Sequence, residues 1–307
     1  LTLAYQGGKS FKEAVDFGTR LGHNQRWGVR VMADNIQGET AIDGDKLMQR
    51  DFFVNIDQKT KKSKTNLLVG YNYADQKGAQ FTWNFNEYNQ PKGSRLPKAP
   101  DNGRSYLPEW TNNEYDNWIA TLNHEQILSD HTTAFFNAGY HREDWYGYQY
   151  GTPRLQNANG DYTVHPENYP LAVTTKYFGG GIKGKFNLGL TKHNYVLSAD
   201  RMMYDNYGGT NKKWGNNGEI LLRGNMYTGY MDDSQYYMYP HEQGSAPWSS
   251  SQFVTGWHIS DDISMFDDRL NMIVGLHGHH AKQIKKNGEN HKPPVKRVVC
   301  RRATSPY

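Results

Sequence analysis

Three groups of residues have types and spacings that could do chemistry. The first, Gly179-Gly180-Gly181-Ile182-Lys183-Gly184, formally fits the glycine pattern of a dinucleotide-binding loop. That chemistry needs the glycines between a strand and a helix, where backbone N–H groups can face a pyrophosphate. Here Phe178, Gly180, Ile182, Gly184 and Phe186 alternate straight through the run, so the glycines read as relief of crowding inside a strand. The second group is His277, His279 and His280. The first and second of these share a face of an extended chain and could ligate a metal, but no further ligand is identifiable, and a polar cluster is the plainer reading. The third group is aromatic. Trp83, Phe85, Tyr88 and Trp110 belong to one long connection; Trp145, Tyr146, Tyr148 and Tyr150 border a second; Tyr236 and Tyr237 belong to a third. Such rings offer large, rigid, amphipathic contact surface and suit a bulky ligand; the alternative is interfacial or loop packing. No Ser/His/Asp set or carboxylate pair has positional support, so the chain is not read as an enzyme.

The elements that must position these residues are strands. Alternation marks eleven of them, over 1–6, 11–21, 26–38, 46–58, 65–75, 115–127, 132–150, 174–187, 192–204, 252–265 and 270–281. Connections on one side are short and polar, such as Ser129-Asp130-His131, whereas those over about 79–114, 151–173 and 205–251 are long. Long connections without structure are uncommon inside compact domains. Short turns alternating with long loops are the habit of outer-membrane barrels, whose tilted strands need about nine to eleven residues each. Aromatics gather near strand ends, as an interfacial girdle would. In this reading Val29, Val31, Phe52, Val54, Leu67, Val69 and Phe136 face lipid, while Asp16, Arg20 and Arg30 face the lumen.

Composition agrees with that class. Aromatic residues make up 14% of the 307, and Tyr alone contributes 22. No stretch is apolar enough for a transmembrane helix, and the low mean hydropathy of −0.89 suits strands with one polar face. Residues 282–307 hold eight Lys/Arg and one Glu, leaving −3 on residues 1–281 from a total of +4. The body thus lacks the basic stripe that nucleic acid requires. The lone cysteine, Cys300, also falls in that segment, so the body has no disulfide framework and no cysteine-based zinc site. Residues 282–307 are expected to be irregular and unpaired beyond about Gln283, set apart from a barrel portion over 1–281. The opening Leu1-Thr2-Leu3-Ala4-Tyr5 is already strand-like rather than a leader, which reads as a processed chain or a fragment.

The segment from Asp16 to Glu39 resembles the early barrel of TonB-dependent siderophore receptors. In that family a strand ending Gly-x-Arg-(Phe/Leu)-Gly leads through a short polar turn into (Trp/Phe)-Gly-x-Arg and then Gly-Glu or Gly-Asp. Here these are Gly18, Arg20, Leu21, Gly22, Trp27, Gly28, Arg30, Gly38 and Glu39. Residues 122–131 are similar in rhythm to a later strand-turn-strand of the family. The resemblance implies an all-β, antiparallel, up-and-down barrel of 22 strands, of which eleven would form an open half-barrel. It further implies import of a ferric siderophore as transported ligand, with no resident cofactor, across the outer membrane of a Gram-negative bacterium. Energy would come from the TonB complex through a plug domain that these residues do not include. The alternative from a different class is a passive outer-membrane porin.

Overall fold

The computed structural model describes residues 1–78, 97–103, 105–106, 111–150, 153–164, 166–168, 170–208, 212–213, 222–232, 246–286, 290–291 and 303–304. Eleven strands follow one another across a single antiparallel sheet: β1 Thr2–Gln6, β2 Ser10–Leu21, β3 Trp27–Glu39, β4 Lys46–Lys59, β5 Ser63–Lys77, β6 Asn112–Ser129, β7 Thr132–Tyr146, β8 Leu171–Leu188, β9 Thr191–Gly208, β10 Trp248–Met265 and β11 Leu270–Lys285. Each pairs with its sequence neighbours, and among the described residues β1 and β11 do not pair with each other. The sheet is therefore open. From β2 onward the strands run 12 to 18 residues, well beyond the usual five or six of globular domains.

Register explains why alternation survives over such lengths. Phe17, Val31, Val54, Val69, Ala120 and Tyr140 stand directly opposite one another along one row. A slip by one residue in any strand would carry its apolar set to the other face. The other face is polar. There Arg30 donates to Asp16 at 2.8 and 2.5 Å, Asn55 and Asn66 exchange hydrogen bonds at 3.2 and 3.0 Å, and Lys183 reaches Glu125 at 2.6 Å. The glycine run of β8 lies wholly within this sheet, as alternation predicts; a Cβ at Gly181 would sit 2.1 Å from the Leu197 carbonyl oxygen.

Burial is inverted relative to a water-soluble domain. Phe17, Phe52, Trp118, Phe136 and Ile259 on the apolar face are 43–62% exposed. The buried large apolar side chains are Leu155, Tyr162, Val164, Leu222 and Met226, all in the long connections. Those connections are structured, against expectation. Arg154–Leu155, Asp161–Val164, Leu222–Asn225 and Tyr230–Asp232 form a four-stranded sheet, and Tyr148–Tyr150, Pro166–Asn168 and Lys212–Lys213 a three-stranded one. Pairing between segments some 60 residues apart leaves no local periodicity to detect.

Two further expectations are corrected. The strand predicted over 132–150 breaks at Gly147, where φ is 144° and an added Cβ would stand 2.2 Å from the Asn112 carbonyl oxygen, so no side chain fits. Beyond the kink, Tyr148–Tyr150 joins the three-stranded sheet. The described parts of the basic segment do pair: β11 runs to Lys285, Asn290–His291 lies beside Gln283 and Ile284, and Ala303–Thr304 beside Met272 and Ile273, while 292–302 lies outside the described residues. An edge strand's free N–H and C=O groups accept short segments whatever their side chains.

Candidate ligand-binding cavity

The ends of β7 to β10 nearest the long connections enclose a cavity of 610 Å³. Two rows of the ladder build it. Trp145 stands opposite Leu171, which in turn stands opposite Gly208. Next to this row come Glu143, Val173, Asn206 and Ser250. By alternation these side chains belong to the polar face, and Tyr204 joins them from β9. A register shift between Asn206 and Tyr207 leaves Ser249 without a partner on β9, and Tyr207 also borders the cavity.

The wall has a defined chemistry. Tyr115 stacks on Trp145 at 5.5 Å between centroids and 14° between planes, fixing the indole. The Trp145 Nε1–H is buried without a hydrogen-bond partner among the described residues. Asn206 Nδ2 donates to Ser250 Oγ at 3.3 Å and Ser249 Oγ to the Asn206 carbonyl oxygen at 3.0 Å, which stiffens the bulge. Arg142 sits 5.4 Å from the centre of the Tyr207 ring, but its guanidinium is forked onto Asp144 at 2.7 and 2.5 Å and bonded to Thr174. Its charge is thus spent behind the wall. The arrangement suits a bulky ligand that offers flat surface and hydrogen-bond acceptors.

Beside the cavity the long connections are knit together. Tyr227 in the third donates its hydroxyl to the Lys98 carbonyl oxygen of the first at 2.8 Å. Asp161 of the second accepts from Asn225 of the third at 2.7 Å and from Asn157 at 2.8 Å. Both amides hold the Asp161 carboxyl below its ordinary value of 3.8. Burial pushes the neighbouring Tyr162 phenol far above its usual range.

Of the candidate aromatics, Trp145 lines the cavity. Tyr146 is the last residue of β7, and Tyr148 and Tyr150 lie in the three-stranded sheet. Trp83, Phe85, Tyr88, Trp110, Tyr236 and Tyr237 lie outside the described residues. Glu143, Tyr204, Asn206 and Ser250 were not singled out by composition, although alternation counted from Trp145 puts Glu143 on its face. His277 and His279 do share a face, 5.5 Å apart, with His258 directly opposite His277. No group of three His, Cys, Asp or Glu is set to hold a metal among the described residues. A Thr-His-Asp chain also occurs: His193 meets Asp261 at 2.6 Å and Thr191 at 2.8 Å. It is no nucleophile, because the Thr191 hydroxyl donates to the Leu188 carbonyl oxygen at 2.7 Å and Phe186 stacks on the imidazole.

No family model matches the sequence. Among characterised proteins it is similar to the ferrichrome receptor FcuA of Yersinia enterocolitica, 27% identical over 280 residues that cover 90% of this chain and 35% of the receptor. Among solved structures it is similar to the ferric preacinetobactin receptor BauA of Acinetobacter baumannii, with a TM-score of 0.80 at 19% identity over 98% of this chain and 43% of that one. The siderophore receptor PiuA of the same organism superposes with a TM-score of 0.66 at 15% identity, over 97% and 44% of the two chains. The chain thus spans about a third of the curated relative and less than half of the solved ones. All three are named as receptors, none as an enzyme. In sequence and in fold the chain matches the barrel strands of the TonB-dependent siderophore receptors that its opening segment resembles.

Proposed function

We propose that this chain is part of an outer-membrane receptor that binds a ferric siderophore and imports it with energy from the TonB system. One observation carries the reading: a continuous, exposed apolar face spans every long strand, while the opposite face is polar and ends in an aromatic-walled cavity. Apolar surface left in water costs about 25 cal/mol per Å². A face of this extent therefore calls for an apolar solvent rather than a missing core. On this reading Val29, Val31, Phe52, Val54, Leu67, Val69 and Phe136 meet lipid and Asp16, Arg20 and Arg30 line the lumen. The cavity then lies at the extracellular rim, where a chelate arrives, and the aromatics of the long connections complete its surroundings. A plug domain elsewhere in the whole protein couples the site to TonB. An open edge in hydrocarbon would leave several kcal/mol of unsatisfied backbone per group, so these strands act within a closed barrel. No observation favours the passive porin.

The test uses the intact receptor in iron-starved cells. Ferric siderophore uptake should require both the receptor and TonB, and Trp145→Ala with Tyr204→Ala should weaken siderophore binding at least tenfold without loss of barrel assembly. Uptake that persists without TonB, or binding that ignores both substitutions, would contradict the reading.

A further inference from the structure

One row of the ladder crosses the polar face from β3 to β11 and passes through the cavity. From β3 to β7 it reads Asp34, Asp51, Asn72, Asn117 and Glu143, each opposite the next. From β8 to β11 it continues as Val173, Asn206, Ser250 and Lys285. Two of its three acids are answered. Lys12 Nζ lies 2.8 Å from Asp34, and Asp51 accepts from Gln49 Nε2 at 2.8 Å and from the Asn72 amide. Glu143 makes no hydrogen bond and no ion pair among the described residues, and of those that line the cavity it alone is charged.

No Lys or Arg among the described residues of the long strands stands where it could offset this charge. Arg142, next in the chain, belongs to the opposite face and is forked onto Asp144. Directly opposite Glu143 are Val173 and Asn117, and the Asn117 amide already donates to Asn72 Oδ1 at 3.0 Å. The base of the row, Lys285, is four strands away, about 19 Å at roughly 4.8 Å per strand. That exceeds the screening length of about 8 Å at physiological ionic strength. On β8 the first base of this face beyond Val173 is Lys183, close to the short turns and paired with Glu125.

We infer that Glu143 is the specificity-determining residue of this cavity, admitting neutral or cationic ferric chelates and rejecting polyanionic ones. This selectivity rests on the proposed receptor function. Three hydroxamates neutralise ferric iron, whereas three catecholates leave a trianion. Uncharged wall groups such as Trp145, Tyr204 and Ser250 accept either kind. A half-buried carboxylate does not, because like charges brought together reject the wrong partner. The aromatic wall then holds whichever chelate the carboxylate admits.

The experiment measures equilibrium binding of three iron-loaded chelates to the purified intact receptor: a neutral tris-hydroxamate, a tris-hydroxamate bearing a free ammonium, and a trianionic tris-catecholate. The quantity read is the ratio of affinities within one protein, which a partly misfolded preparation leaves unchanged. In the parent the better tris-hydroxamate should bind at least about tenfold tighter than the tris-catecholate, the scale that three like charges set in a partly screened cavity. Glu143→Gln should shrink this ratio about tenfold, and more at low ionic strength. Glu143→Asp, which keeps the charge, should keep the ratio. If Glu143→Gln does not assemble, Ser250→Lys decides in its place, since a cation added to the same row should shrink the ratio as well. A ratio unmoved by the deciding variant overturns the selectivity. So does a parent that binds the tris-catecholate as tightly as the tris-hydroxamates, and that outcome leaves the receptor reading standing. A parent that binds none of the three chelates overturns the receptor reading itself, and the selectivity falls with it.

Discussion

Arg20 and Asp57 pair across an intervening strand. Arg20 of β2 is opposite Gly28 of β3, which is opposite Asp57 of β4, and the guanidinium reaches over the glycine to make contacts of 2.9 and 3.3 Å. A Cβ at Gly28 would stand 2.1 Å from Asp57 Oδ1 and 2.8 Å from an Arg20 nitrogen. The glycine of the family-like Trp-Gly-x-Arg segment is thus a gap through which a bridge passes.

Gly28→Ala should therefore destabilise the assembled barrel by about 1–3 kcal/mol, as overpacking does. Arg20→Ala alone should cost less, since both partners of the pair are substantially exposed. Urea unfolding in lipid vesicles would measure both. The double variant should recover part of the Gly28→Ala loss because the displaced side chain is gone; strict additivity would show that the glycine serves another purpose.

Trp145 should separate stability from binding. Trp145→Phe keeps a ring against Tyr115 but removes a buried N–H that has no partner among the described residues. An unsatisfied buried donor costs about 1–3 kcal/mol. The unliganded receptor should accordingly be no less stable, whereas siderophore affinity falls about five- to tenfold. Fluorescence titration beside thermal unfolding reads the two together, and equal losses in both would mean the indole is only structural.

Asp161 predicts a pH response in the connecting segments. Its carboxyl is held below 3.8 by the amides of Asn157 and Asn225. A group whose folded value is lowered contributes stability above its unfolded value, and that contribution disappears as pH falls through the folded one. Amide exchange over 157–161 and 225–228, corrected for intrinsic rates, should stay flat between about pH 7 and 5 and quicken below about 4. Asp161→Asn should abolish that acid step. Identical profiles for the two proteins would remove Asp161 from the account.

Gly160 ends the turn between Arg154–Leu155 and Asp161–Val164, and its carbonyl oxygen accepts from the Met226 N–H of the third long connection. Its φ is 90°, and a Cβ there would lie 2.6 Å from the Tyr227 ring. Gly160→Ala should loosen this region by about 1–2 kcal/mol, the usual cost of a left-handed non-glycine residue. Limited proteolysis should then cut within 153–164 faster than in the parent, while the barrel strands stay protected.

The sequence by itself determined the strands and their faces. A period of two is local, so Phe17 and Val15 against Asp16 and Gly18 already assign two surfaces, and neighbours with the same alternation can register in only one way without mixing them. Short turns and long connections were equally legible, because polar punctuation sits in the chain itself. Tertiary structure alone decided what distant segments do to each other. Asp161–Val164 pairs with Leu222–Asn225 across some 60 residues, and among the described residues the large buried apolar side chains lie in or next to these segments. The cavity follows the same rule. Trp145 was visible as one ring among several, but Glu143, Asn206 and Ser250 became its neighbours through register between strands. The physical reason is that alternation depends on adjacent residues, whereas pairing depends on which edges the closed loops bring within hydrogen-bonding reach. The pairing of Asn290–His291 and Ala303–Thr304 with β11 belongs to the same class, set by an available edge and not by the basic residues that surround it.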